Sequence, residues 1–157
     1  MTERARAILT EAIGRPLRKV IASIHFFEGR CDDEPVELWL SFESLALFRL
    51  SGASDGWRLE VDETTPEPVD MEESGEIILG DMSNKTMFDS MVGRELKGVW
   101  IVESPAEEII GVRFDFGLPT RPVVINWGDE LRIAADYPSE VWEEGISEAA
   151  MQPVTSR

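Results

Sequence analysis

The chain has 157 residues, of which 43% are hydrophobic and 29% charged, and its formal net charge is −16. This size and composition predict one globular domain over residues 1–150, followed by a flexible C-terminal tail at 151–157. The strong negative charge argues against binding to nucleic acid or to an anionic membrane, and a single cysteine with a single histidine cannot supply the usual ligands of structural zinc.

The N-terminal region predicts no export or membrane segment. No apolar run approaches the roughly 20 residues needed to cross a bilayer. The stretch 1–16 has acidic residues and a turn where a signal peptide needs a continuous apolar segment. We therefore expect a soluble cytoplasmic protein.

The first predicted element is an amphipathic helix. Apolar residues recur at helical spacing between Ala5 and Ile13, and Thr2 can cap the start. Gly14 stands where a left-handed cap belongs, and Pro16 prevents continuation. The sequence therefore predicts about three helical turns near the N-terminus.

The next element is a long strand in which both faces are partly apolar, a pattern typical of a central strand. It begins at Leu17 and carries His25, which we interpret as a half-buried strand residue. Ser23 lies on the same face and offers an alternative, a serine and histidine pair for nucleophilic catalysis. Packing is the more common role of neighbouring residues on one strand face.

The remaining segments predict an α+β fold of mostly antiparallel β-sheet, with about seven or eight strands in two meanders and one or two further short helices. The first meander covers 37–62, and the second covers 96–136. Between them lie a long loop without periodicity, a short strand and a two-turn helix, at 63–76, 77–83 and 83–93. A final helix is predicted at 138–151, although Gly145 weakens it.

Two acidic segments predict a docking surface for a basic protein. Nine acidic and no basic residues lie between Glu60 and Asp81, and seven acidic residues with one arginine lie between Asp129 and Glu148. Charges of one sign repel each other, so a functional cause competes with simple solubility. The predicted partner-binding residues are Asp62, Glu63, Glu67, Asp70, Glu72, Glu73, Asp129, Glu130, Asp136, Glu140, Glu143 and Glu144.

Aromatic residues in or beside these segments could anchor an interface, since aromatic side chains dominate binding hot spots. They are Trp57, Trp127, Tyr137 and Trp142. The alternation of the segment 57–62 nevertheless predicts that Trp57 belongs to the core.

No motif for nucleotide binding or nucleophilic catalysis is present, and no cofactor or metal is expected. A carboxylate-dependent or metal-dependent hydrolase remains as the alternative, with a site built from Asp115, Asp129 and Glu130. The acidic run 32–34 lacks the ligand spacing of a calcium loop and is interpreted as a solvated turn. The sequence at Gly128 and Asp129 predicts a structural hairpin turn with positive φ at the glycine.

Residues 91 to 135 resemble a group of small acidic α+β proteins. The segments are MVGRELKGVWIVES, EIIGVRFDFG and VVINWGDELRIA, and LWLSFESLALFRLSG fits more loosely. The similar proteins are found beside bacterial toxin genes and in uncharacterised families, and several are immunity proteins that neutralise a cognate toxin. The resemblance implies inhibition by tight binding and no catalysis, and it transfers no binding residue. An acidic accessory or chaperone subunit is a third alternative.

Overall fold

The computed structural model describes residues 1–84 and 87–151 and shows mostly antiparallel β-sheet with an N-terminal helix. The predicted α+β class is confirmed in this form. The α-helices are α1 (Glu3–Ala12) and α2 (Ser139–Glu143), and 3₁₀ helices cover Glu72–Ser74 and Met87–Ser90. The strands are β1 (Leu17–Phe27), β2 (Arg30–Cys31), β3 (Glu37–Phe42), β4 (Phe48–Gly52), β5 (Leu59–Asp62), β6 (Val69–Asp70), β7 (Glu76–Asp81), β8 (Gly98–Glu103), β9 (Ile109–Asp115), β10 (Val123–Trp127), β11 (Glu130–Ala134) and β12 (Ser147–Ala150).

The strands form two antiparallel sheets. Sheet 1 has the order β5-β4-β3-β1-β7-β6, with β2 paired to β1, and sheet 2 has the order β11-β10-β9-β8-β12. The predicted central position of β1 is confirmed, because Ile21 pairs with Trp39 of β3 on one side and with Asp81 of β7 on the other. The strands are more numerous than predicted because short pairings add to each sheet.

One apolar core joins the two sheets and α1. Sheet 1 contributes Leu38 and sheet 2 contributes Phe114, each at most 1% exposed, and Leu9 of α1 is fully buried beside them. A second, smaller cluster lies on the other face of sheet 2, where Val141 of α2 packs with Ile125. The sheets are therefore packed face to face, and α2 covers the outer face of sheet 2.

The predicted N-terminal helix is confirmed. The Thr2 hydroxyl accepts a hydrogen bond from the Ala5 backbone N–H at 3.0 Å, as an N-cap residue does. After the helix, Gly14 has a φ of 90° and donates its backbone N–H to the Leu96 carbonyl at 2.7 Å. The turn after α1 is thereby fixed to the segment that precedes β8.

The acidic segment after β5 is anchored and contains regular structure, in contrast to the predicted long loop. It leaves β5 at one edge of sheet 1 and reaches β6 at the opposite edge, so residues 63–68 cross the sheet. The buried Trp39 donates its indole N–H to the Thr64 carbonyl at 2.7 Å. This hydrogen bond holds the crossing segment against the outer face of sheet 1.

Two helix predictions are wrong in extent. Among the described residues of 83–93, the helical part is the 3₁₀ turn Met87–Ser90. The Ser83 hydroxyl accepts the Val20 backbone N–H at 3.0 Å, which is a contact to β1 and not a helix cap. Lys85 and Thr86 lie outside the described residues.

The predicted C-terminal helix stops early. Gly145 has a φ of 81° just after α2, and the following residues extend and pair with β8 as β12. Met151, assigned to the tail by sequence, donates its backbone N–H to the Val99 carbonyl at 2.8 Å, while residues 152–157 lie outside the described part. Residues 147–150, whose helical pattern is weak, therefore form an edge strand of sheet 2.

We expect Phe114→Ala to lower the free energy of unfolding by about 3–5 kcal/mol, since the lost ring leaves a cavity between the sheets. Urea denaturation of both proteins measures the difference. Val69→Ala is the matched control, because Val69 is 49% exposed and its truncation should change stability little. Equal losses for the two variants would contradict the assignment of the core.

Candidate functional site

An open groove of about 530 Å³ lies where the β2–β3 loop faces the β10–β11 turn. The carboxylates that line it come from both segments. They are Asp32, Asp33 and Glu34 from the loop, and Asp129 and Glu130 from the turn. Two stretches that lie far apart in the sequence therefore concentrate negative charge in one place.

The β10–β11 turn has the conformation that a tight hairpin requires. Trp127 pairs with Glu130, and the two residues between them, Gly128 and Asp129, have φ values of 58° and 66°. Two positive φ values define the turn type whose twist matches the flanking strands. The predicted positive φ at Gly128 is confirmed, and the turn points the Asp129 and Glu130 side chains outward, both exposed.

The β4–β5 turn packs against this hairpin. The Asp129 backbone N–H donates to the Gly56 carbonyl at 3.0 Å, which connects the two sheets. Trp57 packs edge to face on Trp127, with ring centroids 5.2 Å apart. Trp57 remains 45% exposed, so its predicted place in the core is wrong. It precedes β5, and the inward alternation starts only at Leu59.

Asp55 fixes the shape of the β4–β5 turn. Its carboxylate accepts the backbone N–H groups of Trp57 and Arg58 at 2.9 Å and the Arg58 side-chain Nε at 2.5 Å. The Arg58 guanidinium, helped by these two amides, lowers the pKa of Asp55 to about 2. The exposed Trp57 is therefore held on a turn with a fixed backbone.

Asn126 forms a second link between the sheets. Its side chain is 1% exposed and donates from Nδ2 to the Arg58 carbonyl at 3.0 Å. A β-carbon on Gly52 would lie 2.7 Å from the Asn126 Oδ1, so only glycine permits this approach of β4 to β10. The Asn126 hydrogen bond and the Asp129–Gly56 hydrogen bond together hold the two sheets close at one end.

Glu34 lies at the junction of the loop and sheet 2. Its carboxylate accepts the Ile133 backbone N–H at 3.4 Å, a long hydrogen bond. Partial burial raises the pKa of Glu34, and the Glu130 and Asp33 carboxylates add to this, against the lowering effects of the Ile133 N–H and of Arg132. The loop is therefore held close enough to β11 for its carboxylate to be partly desolvated.

His25 connects the groove to the acidic 3₁₀ helix. It is a partly buried residue of β1, and its Nδ1 lies 3.3 Å from Asp32 Oδ2. Its Nε2 lies 2.7 Å from the carbonyl oxygen of Ser74, which ends the helix that carries Glu72 and Glu73. Ser23, fully buried, hydrogen-bonds instead to Glu37 at 3.3 Å, so the two residues do not form a catalytic pair.

The predicted partner-binding residues fall into two groups. Five are paired with arginines: Asp62 with Arg49, Glu63 with Arg4, Asp136 with Arg113, and both Glu130 and Glu140 with Arg132. Glu67, Asp70, Glu72, Glu73, Asp129, Glu143 and Glu144 are exposed and have no ion pair with another described residue. The structure brings only Asp129 and Glu130 of the predicted set into the groove.

The residues that sequence reasoning missed are Asp32, Asp33 and Glu34. They were interpreted as a solvated turn, and they are indeed exposed. Their position opposite Asp129 depends on the packing of two sheets, which no local pattern encodes. The only sequence signal is the acidic run itself, placed between two strands.

The carboxylates of the alternative hydrolase site do not converge. Asp115 and Asp129 lie at opposite ends of the sheet, since β9 and β10 run antiparallel and Val123 at the start of β10 pairs with Arg113. Asp115 instead accepts the Gly117 backbone N–H at 2.8 Å. Within residues 1–84 and 87–151, no three His, Cys, Asp or Glu side chains are placed to hold a metal ion.

A second group of aromatic residues lies on the outer face of sheet 2. The Arg113 guanidinium lies 5.1 Å from the centre of the Tyr137 ring, and Trp142 stacks on Tyr137 at 5.8 Å. Burial and the Glu148 carboxylate raise the pKa of Tyr137. Trp142 is 64% exposed beside Glu143 and Glu144, so it presents an aromatic surface among acids.

Comparisons of the chain with protein-family models, with curated proteins and with solved structures found no match. Among the described residues, no helix is long and apolar enough to cross a membrane. Any functional assignment must therefore come from the geometry and charge of the site.

We expect the Asp55 carboxyl to titrate at about 2, and Arg58→Ala to raise this pKa toward the ordinary value of 3.8. The carboxylate stabilises the turn above its unfolded-state pKa and loses this effect as the pH falls toward 2. Carboxyl ¹³C NMR measures both titrations. Asp81, whose lowered pKa comes first from Ser83, is the internal control and should not respond to Arg58→Ala.

We expect Glu34→Gln to stabilise the protein slightly at neutral pH. The raised pKa means that folding opposes ionisation of Glu34, so the wild type loses stability relative to the variant as the pH rises from below 4.5 through the folded-state pKa. Because Glu34 is largely exposed, the difference should be less than about 1 kcal/mol. Urea denaturation at pH 3.5 and pH 7 tests it, and a variant that is less stable only at pH 7 would contradict the assignment.

Proposed function

We propose that this chain is a cytoplasmic, non-catalytic binding protein of the immunity or inhibitor type, which neutralises a basic toxin or effector protein by covering its surface. The observation that carries the proposal is the groove, where five carboxylates lie next to the exposed Trp57. The resemblance of residues 91–135 to immunity proteins agrees with this proposal.

The charge of the groove supports a basic partner. Among the described residues, Arg132 is the only arginine or lysine paired with a groove carboxylate; it lies 3.4 Å from Glu130 and is shared with Glu140. Asp32 lies 3.3 Å from the imidazole of His25. Asp33 and Asp129 have no such partner there. Like charges held together repel, and a cationic surface relieves this repulsion while it accelerates association.

The aromatic residues supply the apolar part of the interface. Trp57 is supported by Trp127 and held by the Asp55 turn, so its ring is fixed before a partner arrives. Rigid aromatic residues surrounded by polar groups are typical centres of binding energy. Trp142, among Glu143 and Glu144, offers a second contact of the same kind.

The proposed mechanism is occlusion. The groove is open and exposed, so a protruding basic segment of a partner can enter it without rearrangement of the sheets. Binding across the groove and Trp57 would cover the partner's basic surface, including a nucleic-acid cleft if it has one. This mode of inhibition needs no catalytic group, cofactor or metal.

We expect the triple variant Asp33→Asn, Asp129→Asn, Glu130→Gln to lose a basic partner that wild-type protein captures from its own cell lysate at low ionic strength. The three changes neutralise the groove and keep the size of each side chain, and Asn is tolerated at positive φ. Capture on the tagged protein with salt elution and mass spectrometry identifies the partner. The purified pair should then associate more slowly as salt is added.

The matched control is Glu3→Gln, Glu11→Gln, Glu107→Gln, which changes the net charge equally at exposed positions outside the groove and outside the predicted partner-binding set. It should retain the partner. If both triple variants lost the partner equally, the net charge alone would attract the partner, and the groove would have no specific role. Retention by the groove variant, or binding that does not respond to salt, would argue against the proposal.

A further inference from the structure

A smaller cavity of about 230 Å³ lies between the two sheets and opens next to the groove. Its walls are mostly apolar: Val20, Ala22, Leu38, Met82 and Ile133. Asp33 and Glu34 line both the cavity and the groove. We call this cavity the slot.

Small side chains create the slot. Ala22 of β1 pairs with Gly80 of β7, so two neighbouring positions of sheet 1 lack bulk. On the other side stands Ile133 of β11, which is an edge strand of sheet 2 among the described residues. Ala22 and Leu38 are each only 1% exposed, so they form the closed floor of the slot. The accessible apolar surface comes from Pro35, Met82 and Ile133, which are partly exposed.

Glu34 gives the slot a negative end. Its carboxylate accepts the Ile133 N–H, and Arg132, Glu130 and Asp33 all lie close enough to act on its ionisation. The neighbouring cation, Arg132, is paired with Glu130 and Glu140. Glu34 forms no ion pair with another described residue, so it is available to a cation from outside.

We propose that the slot binds an aliphatic amine, with the hydrocarbon chain against Pro35, Met82 and Ile133 and the ammonium group against Glu34. An apolar cavity with a few placed polar groups is the usual form of a small-ligand site. The carboxylates repel an anion. A primary ammonium is a compact charge on a flexible stem and fits a cavity of about 230 Å³ better than the broad planar fork of a guanidinium.

The same chemistry can come from a free alkylamine or from a lysine side chain of another protein. The inference uses only the slot and its carboxylate, so it holds or fails independently of the proposed inhibitor function. The two sources differ in what surrounds the ammonium stem, and two probes separate them. These are n-pentylamine and Nα-acetyl-lysine N-methylamide.

The test is a titration of the ¹⁵N-labelled protein with n-pentylamine at neutral pH, followed by NMR. We expect the backbone amides of Ala22, Leu38 and Ile133 to shift. From ethylamine to n-pentylamine, affinity should rise by about fourfold for each added methylene that becomes buried. The neutral n-pentanol should bind more weakly than n-pentylamine, because it cannot pair with Glu34.

Two variants test the two halves of the site. Glu34→Gln should weaken n-pentylamine binding by about tenfold, because it removes the charged partner and keeps the shape. Ala22→Val places two methyl groups into the slot and should abolish the gain from longer chains. Glu11→Gln is the matched control, because Glu11 is exposed and lies outside both the slot and the groove, and it should bind like the wild type. Thermal unfolding checks that each variant is folded.

The outcomes are distinct. Binding of n-pentylamine alone identifies a site for free amines, and binding of both probes identifies a site for a lysine side chain. The proposal is overturned if no slot amide shifts, if n-pentanol binds as well as n-pentylamine, or if folded Glu34→Gln binds as well as the wild type. None of these results would alter the outcome of the partner capture.

Discussion

The face-to-face packing of the two sheets determines both the groove and the slot. Sheet 1 comes from the first half of the chain and sheet 2 from the second, and they share the apolar core with α1. At one end the Asp129–Gly56 hydrogen bond and the buried Asn126 bring β4 close to β10. At the edge near Ala22, which pairs with Gly80, the slot lies between β1 and β11. The close contact and the slot both depend on the side chains at those positions.

The arginines explain why an acidic chain has a localised acidic site. The sequence holds 31 acidic and 15 basic side chains, so charge compensation cannot be complete. Arg49 pairs with both Glu37 and Asp62, and Arg113 pairs with Asp136 and Glu148. These pairs stabilise the outer faces of the sheets. Within the part of the chain that the structure describes, the groove shares one arginine, Arg132, with Glu140, and Asp33 and Asp129 form no ion pair.

Local periodicity was sufficient to predict much of the fold. Alternation identified β1 as a central strand, and the cap at Thr2 with helical spacing identified α1. The groove could not be predicted from local periodicity, because the position of Asp32, Asp33 and Glu34 depends on contacts between distant segments. Trp57 was misplaced because the alternation of the sequence begins one step before the start of β5 at Leu59. The prediction of the last helix was wrong, because strand pairing with β8 outweighed the weak helix propensity of the residues after Gly145.

The position of β1 also constrains how the chain can fold during synthesis. One side of β1 pairs with β3, which follows soon after in the sequence. The other side pairs with β7, which is synthesised much later, as the pair Ile24–Ile78 shows. Pairing over such a separation is slow, and an unpaired apolar edge invites association with other chains. Until β7 has left the ribosome, this edge is open. The acidic crossing segment leaves the ribosome before β7, so its charges repel a second copy of the chain while the edge is still unpaired.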